Sequence, residues 1–312
     1  MGNIITANNI VKRYSKHLAL DGVSLSVPQG TIYGLLGPNG AGKTSMIRII
    51  NQITAPDSGE VFFGDEKITP RHTELIGYLP EERGLYKKMR VGEQAVYLAR
   101  LKGMEKRDAE SKLKDWFKKF EILTWWDKKV EELSKGMQQK VQFIVTVLHQ
   151  PRLLILDEPF TGFDPINVEL IKSELLRMRN EGTTIILSTH NMASVEELCN
   201  YITLINQAKT VLEGDVNKLR HRYKEHLWEV KLEGSEELVR ASLNHKFELL
   251  DYKPFLNMSV AKIKIPENLT PNDLLKALLP ICTIIGFCEI LPSMGEIFIS
   301  SVKRTNPVSY NS

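Results

Sequence analysis

The spacing of apolar and polar residues predicts strands that alternate with helices over the first 220 residues. In "VSLSV" (23–27) apolar and polar residues alternate, which is typical of a half-buried strand. Buried strands connected by helices predict a parallel sheet that is covered by helices. Three longer apolar runs predict such buried strands: "TIYGLLG" (31–37), "LLILDEP" (153–159) and "TTIILSTH" (183–190).

Four segments carry apolar residues at helical spacing. In one of them, Asp164 is a good N-cap and Pro165 suits the first helical position. In the lysine-rich segment 111–120 the stripe favours a core-facing helix, and a partner-binding surface is the alternative. The four stripes are Met46, Ile49, Ile50 and Ile53; Leu113, Trp116, Phe117 and Phe120; Val141, Ile144, Val145 and Leu148; and Val168, Ile171, Leu175 and Met178.

The composition changes after residue 219, and we place a domain boundary in "KLRHRYKEH" (218–226). Beyond it the patterns predict strand, helix, strand, strand, helix and strand, the last strand being "EIFISSV" (296–302). This order is that of a split βαβ, ferredoxin-like α+β domain, which would occupy residues 225–305.

Composition and charge narrow the class of protein. Of the 312 residues, 42% are hydrophobic and 25% charged, which is ordinary for a globular protein. The net charge of +3 is too small to indicate nucleic acid by itself. Cys199, Cys282 and Cys288 form no metal-ligand pattern and predict buried, unreactive thiols in a reducing compartment. The longest apolar stretch, 277–287, is too short for a spanning helix, so we expect that the chain does not cross a membrane by itself.

The segment "GPNGAGKT" (37–44) matches G-x-x-x-x-G-K-[ST], the pattern of a phosphate-binding loop. Its glycines allow backbone angles that present N–H groups to an anion at a helix N-terminus. Lys43 can reach the outer phosphates, and Thr44 offers a hydroxyl to Mg²⁺. The candidate nucleotide-binding residues are therefore Gly37, Pro38, Asn39, Gly40, Ala41, Gly42, Lys43, Thr44 and Ser45.

Hydrolysis also needs a metal ligand and a positioned water. Asp157 and Glu158 end an apolar run, and we expect Asp157 to hold Mg²⁺ and Glu158 to orient the water. His190 ends the next run, and its imidazole can hydrogen-bond a γ-phosphate. Because the carboxyl ends of parallel strands meet at one edge of a sheet, we expect these side chains to lie beside the glycine loop.

A second candidate anion site lies in "LSKGMQQK" (133–140), where Ser134 and Gly136 open a helix. A second site of this kind, about 20 residues before Asp157, is unusual in a lone ATPase that already has a phosphate-binding loop.

Taken in order, these motifs resemble those of the ATP-binding subunit of an ABC transporter, over residues 1–220. The resemblance makes residues 37–44 the Walker A loop and 153–158 the Walker B motif. "LSKGM" resembles the signature LSGGQ, with substitutions at Lys135 and Met137.

The same resemblance assigns roles to further residues. Tyr14 fits the aromatic residue that stacks on adenine, Asp164 in "TGFDP" fits the acid of the D-loop, and His190 fits the switch histidine. Glu158, His190 and Lys43 then form the catalytic group.

The family has an α/β fold, a P-loop NTPase cassette with a mixed sheet core and a helical subdomain, here at about 88–150. ATP and Mg²⁺ are its cofactors. Two subunits pack head to tail, so that the signature of one caps the ATP held by the other, and we expect a homodimer. The other implied partner is an integral-membrane permease rather than nucleic acid. The chain would then be cytoplasmic and peripheral on the inner face of the cell membrane.

One residue departs from the family pattern. In "GYLPEERGLY" (77–86), Glu81 stands where the family usually has a glutamine that touches Mg²⁺ and the water. A carboxylate can still join Thr44 and Asp157 as a metal ligand, but it adds negative charge near the γ-phosphate, which predicts a modified metal dependence or slower turnover. "LPEERGLY" with the C-terminal extension resembles a subgroup of export ATPases that includes sodium-efflux ATP-binding subunits.

The predicted function is to power a membrane exporter of sodium, drugs or other small molecules. The alternative is a soluble ABC-family ATPase that acts on ribosomes or DNA. Such proteins typically carry two cassettes or a long coiled-coil insertion, whereas this chain has one cassette and no such insertion. A non-hydrolysing regulatory subunit is a third option, against which the intact Lys43, Asp157, Glu158 and His190 argue.

Overall fold

The computed structural model of the chain describes residues 2–81 and 84–305. They divide into two compact units, one formed by residues 2–216 with 300–305 and the other by residues 217–299. Within the described ranges, no helix combines the length and the apolar character that a membrane span requires.

The strands in the described ranges are β1 Asn3–Tyr14, β2 His17–Pro28, β3 Ile32–Leu36, β4 Ser58–Phe63, β5 Glu66–Lys67, β6 Ile76–Leu79, β7 Leu153–Asp157, β8 Thr184–Thr189, β9 Tyr201–Asn206, β10 Lys209–Asp215, β11 Leu227–Glu233, β12 Glu248–Phe255, β13 Met258–Lys264 and β14 Thr283–Ile290.

The helices there are α1 Lys43–Ile50, α2 Val91–Leu101, α3 Lys106–Lys119, α4 Lys135–Val147, α5 Pro165–Asn180, α6 Met192–Leu198, α7 Val216–Arg222, α8 Glu236–Ser242, α9 Pro271–Leu278 and α10 Met294–Thr305. Short 3₁₀ helices span Pro70–Leu75, Leu123–Trp125 and Val130–Glu132.

Two sheets build the first unit. The larger has the strand order β10-β9-β3-β8-β7-β6, in which β9 to β6 run parallel to their neighbours and β10 is antiparallel. The smaller, β2-β1-β4-β5, is antiparallel. Helices α2, α3 and α4 fall between β6 and β7 and contact one another. The expected α/β fold with a mixed sheet is confirmed.

The three apolar runs form the adjacent strands β3, β8 and β7, and every residue of these strands is buried. Since the strands are parallel, their carboxyl ends share one edge. The residues that follow them therefore start out as neighbours, which is what a ligand site at this edge requires.

The helical stripes pack as predicted, with one exception. Met46, Ile49 and Ile50 are buried, but Ile53 is 60% exposed. Helix α1 ends at Ile50, and Gln52 has a left-handed φ of 57°, which breaks the helical repeat before Ile53.

The lysine-rich helix α3 turns its apolar side to the core. Leu113, Phe117 and Phe120 are buried, and the ring of Trp116 packs against those of Phe120 and Phe143. The core-facing interpretation of this stripe is confirmed.

The second unit has one antiparallel sheet of order β12-β13-β11-β14. Alternate residues of β11 and β13 pack against α8 and α9, including Val230, Ile263, Val239 and Leu274. This order and the βαββαβ sequence of elements confirm the ferredoxin-like prediction.

Two predictions about this part of the chain were wrong, one on the last strand and one on the cysteines. The last strand is β14, not residues 296–302, which belong to α10. Cys199 is buried as expected, and Cys282 is partly buried, but Cys288 is exposed. Along β14, Cys288 alternates with Phe287, which packs against the helix-covered core, so the thiol points to the opposite face of the sheet.

Candidate functional site

The loop between β3 and α1 depends on glycine at two positions. Gly37 and Gly42 have φ values of 147° and 117°. A Cβ on Gly37 would lie 2.1 Å from the carbonyl oxygen of Ile205, and one on Gly42 would lie 2.3 Å from that of Ala19. The loop is therefore pressed onto the protein behind it, and its other side remains free for a ligand.

Lys43, the first residue of α1, folds back over this loop. Its Nζ donates hydrogen bonds to the carbonyl oxygens of Gly37, at 2.7 Å, and Pro38, at 3.1 Å. Burial lowers the pKa of the Lys43 ammonium, and the carboxylates of Glu158 and Asp157 oppose that change. The ammonium is thus held inside the loop close to two acids.

Thr44 and Asp157 bring two oxygen ligands together. The Thr44 hydroxyl donates to Asp157 Oδ2 over 3.3 Å. Asp157 ends β7 and is 3% exposed, and burial raises the pKa of its carboxyl against the effect of the Thr44 hydrogen bond. No group of three or more His, Cys, Asp or Glu side chains forms a metal site within the described ranges. The Thr44 hydroxyl and the Asp157 carboxylate are oxygen donors of the kind that Mg²⁺ takes, beside water and phosphate oxygens.

Glu158 and His190 are in contact. Glu158 Oε1 accepts a hydrogen bond from the His190 backbone N–H, at 3.1 Å, and lies 2.7 Å from His190 Nδ1. Its Oε2 accepts from the Thr189 hydroxyl at 3.2 Å. The Glu158 backbone N–H donates to the carbonyl of Ser188, at 2.9 Å. The ends of β7 and β8 therefore fix this carboxylate from three sides.

These groups border a cleft of about 290 Å³. A larger cavity, about 670 Å³, lies at the opposite ends of β7 and β8, beside Arg152 and Thr183, and contains none of the predicted site residues. Size alone does not identify the site here. The smaller cleft is lined by Tyr14, His17, Ala19, Asn39, Gly40, Gly42, Lys43, Thr44, Ser45, Glu81, Asp157 and Glu158.

Most of the predicted residues therefore meet in one place. Gly37, Pro38 and Ala41 belong to the same loop without lining the cleft, and His190 reaches it through Glu158. Tyr14 ends β1 at the rim, 38% exposed, with Lys12 Nζ 5.5 Å from its ring centroid.

Glu81 and His17 also line the cleft. Glu81 lies two residues beyond β6, and its carboxylate also acts on the pKa of Lys43. His17 begins β2 across the hairpin from Tyr14 and was missed from the sequence. Its position next to a short turn, opposite the predicted aromatic residue, was the one available signal.

Ser134, Gly136 and Asp164 are not among the residues that line the cleft in the described part of the chain. Ser134 is the N-cap of α4 and accepts from the Met137 N–H at 3.3 Å. Asp164 is the N-cap of α5 and accepts from the Asn167 N–H at 3.0 Å, a hydrogen bond that lowers the pKa of its carboxyl.

The start of α4 is nevertheless close to the segment between β7 and α5. A Cβ on Gly136 would lie 3.1 Å from the carbonyl oxygen of Gly162, and Gln139 Nε2 donates to the carbonyl of Pro159 over 3.1 Å. The signature segment and the segment that follows Glu158 therefore contact each other within one chain.

The chain is similar to known ABC transporter proteins over both of its units. The family profile described as "ABC transporter" matches residues 20–161, and the profile "ATP-binding protein DrrA1-3-like, C-terminal domain" matches residues 214–302. The ABC transporter ATP-binding protein YhaQ of Bacillus subtilis is 46% identical over 220 residues, which cover 70% of this chain and 74% of that protein. The bacitracin transport ATP-binding protein BcrA of Enterococcus faecalis is 33% identical over 230 residues, 71% of this chain and 72% of that one.

A solved structure gives the same answer. The chain described as "Structure of ATP binding subunit of ABC transporter" superposes with a TM-score of 0.66 at 26% identity, over 70% of this chain and 93% of that chain. The profile, the relatives and the solved structure agree, and the members of this family are ATPases. The chain therefore belongs to the ABC transporter ATP-binding proteins and is the ATP-hydrolysing subunit of such a transporter.

Proposed function

We propose that two copies of this chain bind two ATP molecules head to tail, and that hydrolysis of ATP·Mg²⁺ at this composite site powers export through a membrane permease. The main support for the proposal is the set of groups gathered at the cleft. A glycine loop, a buried lysine, a hydroxyl–carboxylate pair and the Glu158–His190 contact lie together at one edge of the sheet.

The loop residues 37–45 are proposed to hold the phosphates by their backbone N–H groups. Lys43 would exchange its two carbonyl partners for phosphate oxygens, which are stronger acceptors for an ammonium. Tyr14 at the rim would stack on the adenine, and His17 lies across the same opening.

Thr44 and Asp157 would hold Mg²⁺, with Glu81 as a further oxygen ligand on the cleft wall. Bound there, the ion neutralises charge that develops on the transferred phosphoryl group. Glu158 orients the attacking water, and His190 fixes the Glu158 carboxylate and donates toward the γ-phosphate. Phosphoryl transfer asks mainly for positioning, and a carboxylate held from three sides supplies it.

The second copy is needed because one chain leaves its own site open. Ser134 and Gly136 begin a helix whose N-terminal end favours an anion, yet they do not line the cleft described above. In a head-to-tail pair, this helix start and Asp164 of one copy would cover the phosphates bound by the other copy.

The permease is proposed to contact the segment that follows Glu81. Tyr86, Tyr97 and Leu101 are 57%, 45% and 64% exposed, and exposed apolar side chains in one part of the chain are suited to a protein contact. Relatives are named for bacitracin transport and linearmycin resistance, which supports efflux of a small molecule or peptide at the inner face of the cell membrane. They also support a transport role over an action on nucleic acid.

Glu158→Gln tests the composite site, because it keeps the shape of the side chain but slows hydrolysis, so that the ATP-bound state accumulates. We expect light scattering after size-exclusion chromatography to show a dimer of this variant that forms with Mg-ATP and not without it. A matched control, Glu158→Gln combined with Lys43→Ala, should stay unassociated under both conditions. A Glu158→Gln chain that binds ATP and yet remains a monomer would contradict the homodimer.

A further inference from the structure

The sheet of the second unit ends in two edge strands of different character. Strands β11 and β13 lie in the middle, β12 forms one edge and β14 forms the other. An edge strand presents unpaired backbone N–H and C=O groups, which are a template for another strand.

Strand β12 carries several features that oppose strand addition. Its register shifts between Leu249 and Asp251, its Pro254 lacks an N–H, and Lys253 forms an ion pair with Asp251 at 2.8 Å. Bulges, proline and lysine are the devices by which natural sheets block their edges.

Strand β14 shares only one of those devices, a register shift against Lys231 and Leu232 of β11 that leaves Ile285 without a partner residue there. Residues 283–288, "TIIGFC", include no charged residue and no proline. Glu289, near the end of the strand, is engaged by Lys224 at 3.1 Å. Ile285, at this register shift, is 49% exposed although it is a large apolar residue.

The backbone of β14 is paired on one side only. Its sheet hydrogen bonds go to β11, and no backbone hydrogen bond joins it to any other element in the described ranges. On the helix-covered side, Phe287 stacks on Trp228 with 4.5 Å between ring centroids, and both rings are only partly buried. A strand laid along β14 would cover this aromatic pair as well as the unpaired backbone.

We infer that β14 is an interface for a second copy of this chain, in which the two β14 strands pair antiparallel and join both sheets into one of eight strands. This inference rests on the proposed function in one respect, namely that two copies of the chain work together. Antiparallel pairing of identical strands about a twofold axis is self-complementary. Because residues 283–288 are uncharged, the two copies meet without like-charge repulsion, which would weaken the pairing of a charged strand with itself.

The contact adds to ATP-driven closure instead of replacing it. A pair of short strands associates weakly by itself. Once the β14 strands are paired, however, the two ATP sites are at a higher effective concentration, and the same holds for β14 once the ATP sites have closed. The nucleotide-free chain should therefore associate weakly through β14, and the same contact should strengthen the ATP-bound pair.

Sedimentation velocity of the full chain without nucleotide tests this, over concentrations from about 1 µM to about 1 mM, where weak dissociation constants are measurable. We expect wild type to self-associate and Ile285→Lys to raise the dissociation constant at least about tenfold. Leu250→Lys is the matched control, because Leu250 is also 49% exposed and lies on the opposite edge strand. It should behave as wild type.

Hydrogen exchange of the same samples locates the contact. Amides of residues 283–290 should exchange more slowly as the concentration rises, while those of 248–255 should not change. The inference is overturned if wild type stays monomeric throughout, if Ile285→Lys and Leu250→Lys associate alike, or if the amides of β14 are unaffected by association.

The nucleotide-free measurement also separates this inference from the proposed function. Association of Glu158→Gln that requires Mg-ATP at low concentration tests the composite ATP site, and concentration-dependent association without nucleotide tests β14. Either one can fail while the other stands.

Discussion

The Nδ1 atom of His190 lies 2.7 Å from Oε1 of Glu158, across the ends of the adjacent strands β8 and β7. In the proposed reaction both side chains act on the attacking water, and this contact keeps them side by side. We expect His190→Ala to lower the ATPase rate about 100-fold or more, since positioned groups of this kind typically contribute 10²–10⁴-fold. Equilibrium binding of labelled ATP should change little, because Lys43 and the loop remain.

Phosphate release measures the rate in that experiment, and His221→Ala, in α7, is a control for the loss of an imidazole elsewhere. A His190→Ala chain with the wild-type rate would show that the Glu158 carboxylate is oriented sufficiently by Thr189 and the backbone.

Lys43→Ala should weaken ATP binding. A hydrogen bond from a charged donor contributes about 1.5–3 kcal/mol, which corresponds to a loss of about 10- to 100-fold in affinity. Titration calorimetry with ATP measures it, and Lys16→Ala, an exposed lysine in the hairpin turn near Tyr14, is the control. Equal affinity of both variants would mean that the ammonium stays on Gly37 and Pro38 when ATP is bound.

Glu81→Gln should change the metal dependence. Removing one carboxylate from a cleft wall that also carries Asp157 and Glu158 weakens Mg²⁺ binding and reduces repulsion of the γ-phosphate. If the lost carboxylate contributes about 1 kcal/mol to the free energy of Mg²⁺ binding, the Mg²⁺ concentration for half-maximal rate should rise about fivefold. The maximal rate should rise as well. Steady-state rates over a Mg²⁺ series measure both, and unchanged values would refute the effect of this departure from the family pattern.

Much of the fold could be predicted because its central strands are continuous apolar runs, as in β3, β7 and β8, and because parallel strands share an edge. The same rule brought Lys43, Asp157 and Glu158 together. The prediction of a strand at residues 296–302 was wrong, because a short apolar run does not distinguish a strand from one side of a helix. His17 was missed because an exposed residue at the start of a strand adds nothing to the apolar pattern.

Gly92→Ala should destabilise the protein. A Cβ on Gly92 would lie 2.3 Å from Cε2 of Trp126, whose ring is held edge-on by Phe117 at 5.4 Å. Overpacking costs about 1–3 kcal/mol and the gain in helix propensity is about 1 kcal/mol, so we expect a net loss of up to about 2 kcal/mol. Urea unfolding measures it. Glu93→Ala, at the next and exposed position, should stay within about 0.5 kcal/mol of wild type.

His149 should make the stability of the protein sensitive to acid. Burial, with the charge of Lys102, lowers the pKa of its imidazole to about 4, against the opposite effect of the Ile76 backbone. The unfolded chain binds this proton near pH 6.5, so the unfolded state holds more protons between about pH 6.5 and 4, and stability falls as the pH falls through that window.

In His149→Gln, the slope of unfolding free energy against pH should be shallower by up to about one proton per chain in that window. Urea unfolding at a series of pH values gives the slope. Parallel curves for wild type and variant would show that the imidazole is as accessible to protons in the folded protein as in the unfolded one.

Glu158 has a left-handed φ of 49°. An L-residue pays about 1 kcal/mol for this conformation, and glycine adopts it freely. The hydrogen bonds that the carboxylate accepts from Thr189 and His190 offset this cost. We expect Glu158→Gly to fold and to lose ATPase activity, because the backbone angle is kept while the carboxylate is gone. The backbone at position 158 thus holds a conformation that suits glycine, and the side chain that it carries there is the one that the proposed reaction needs.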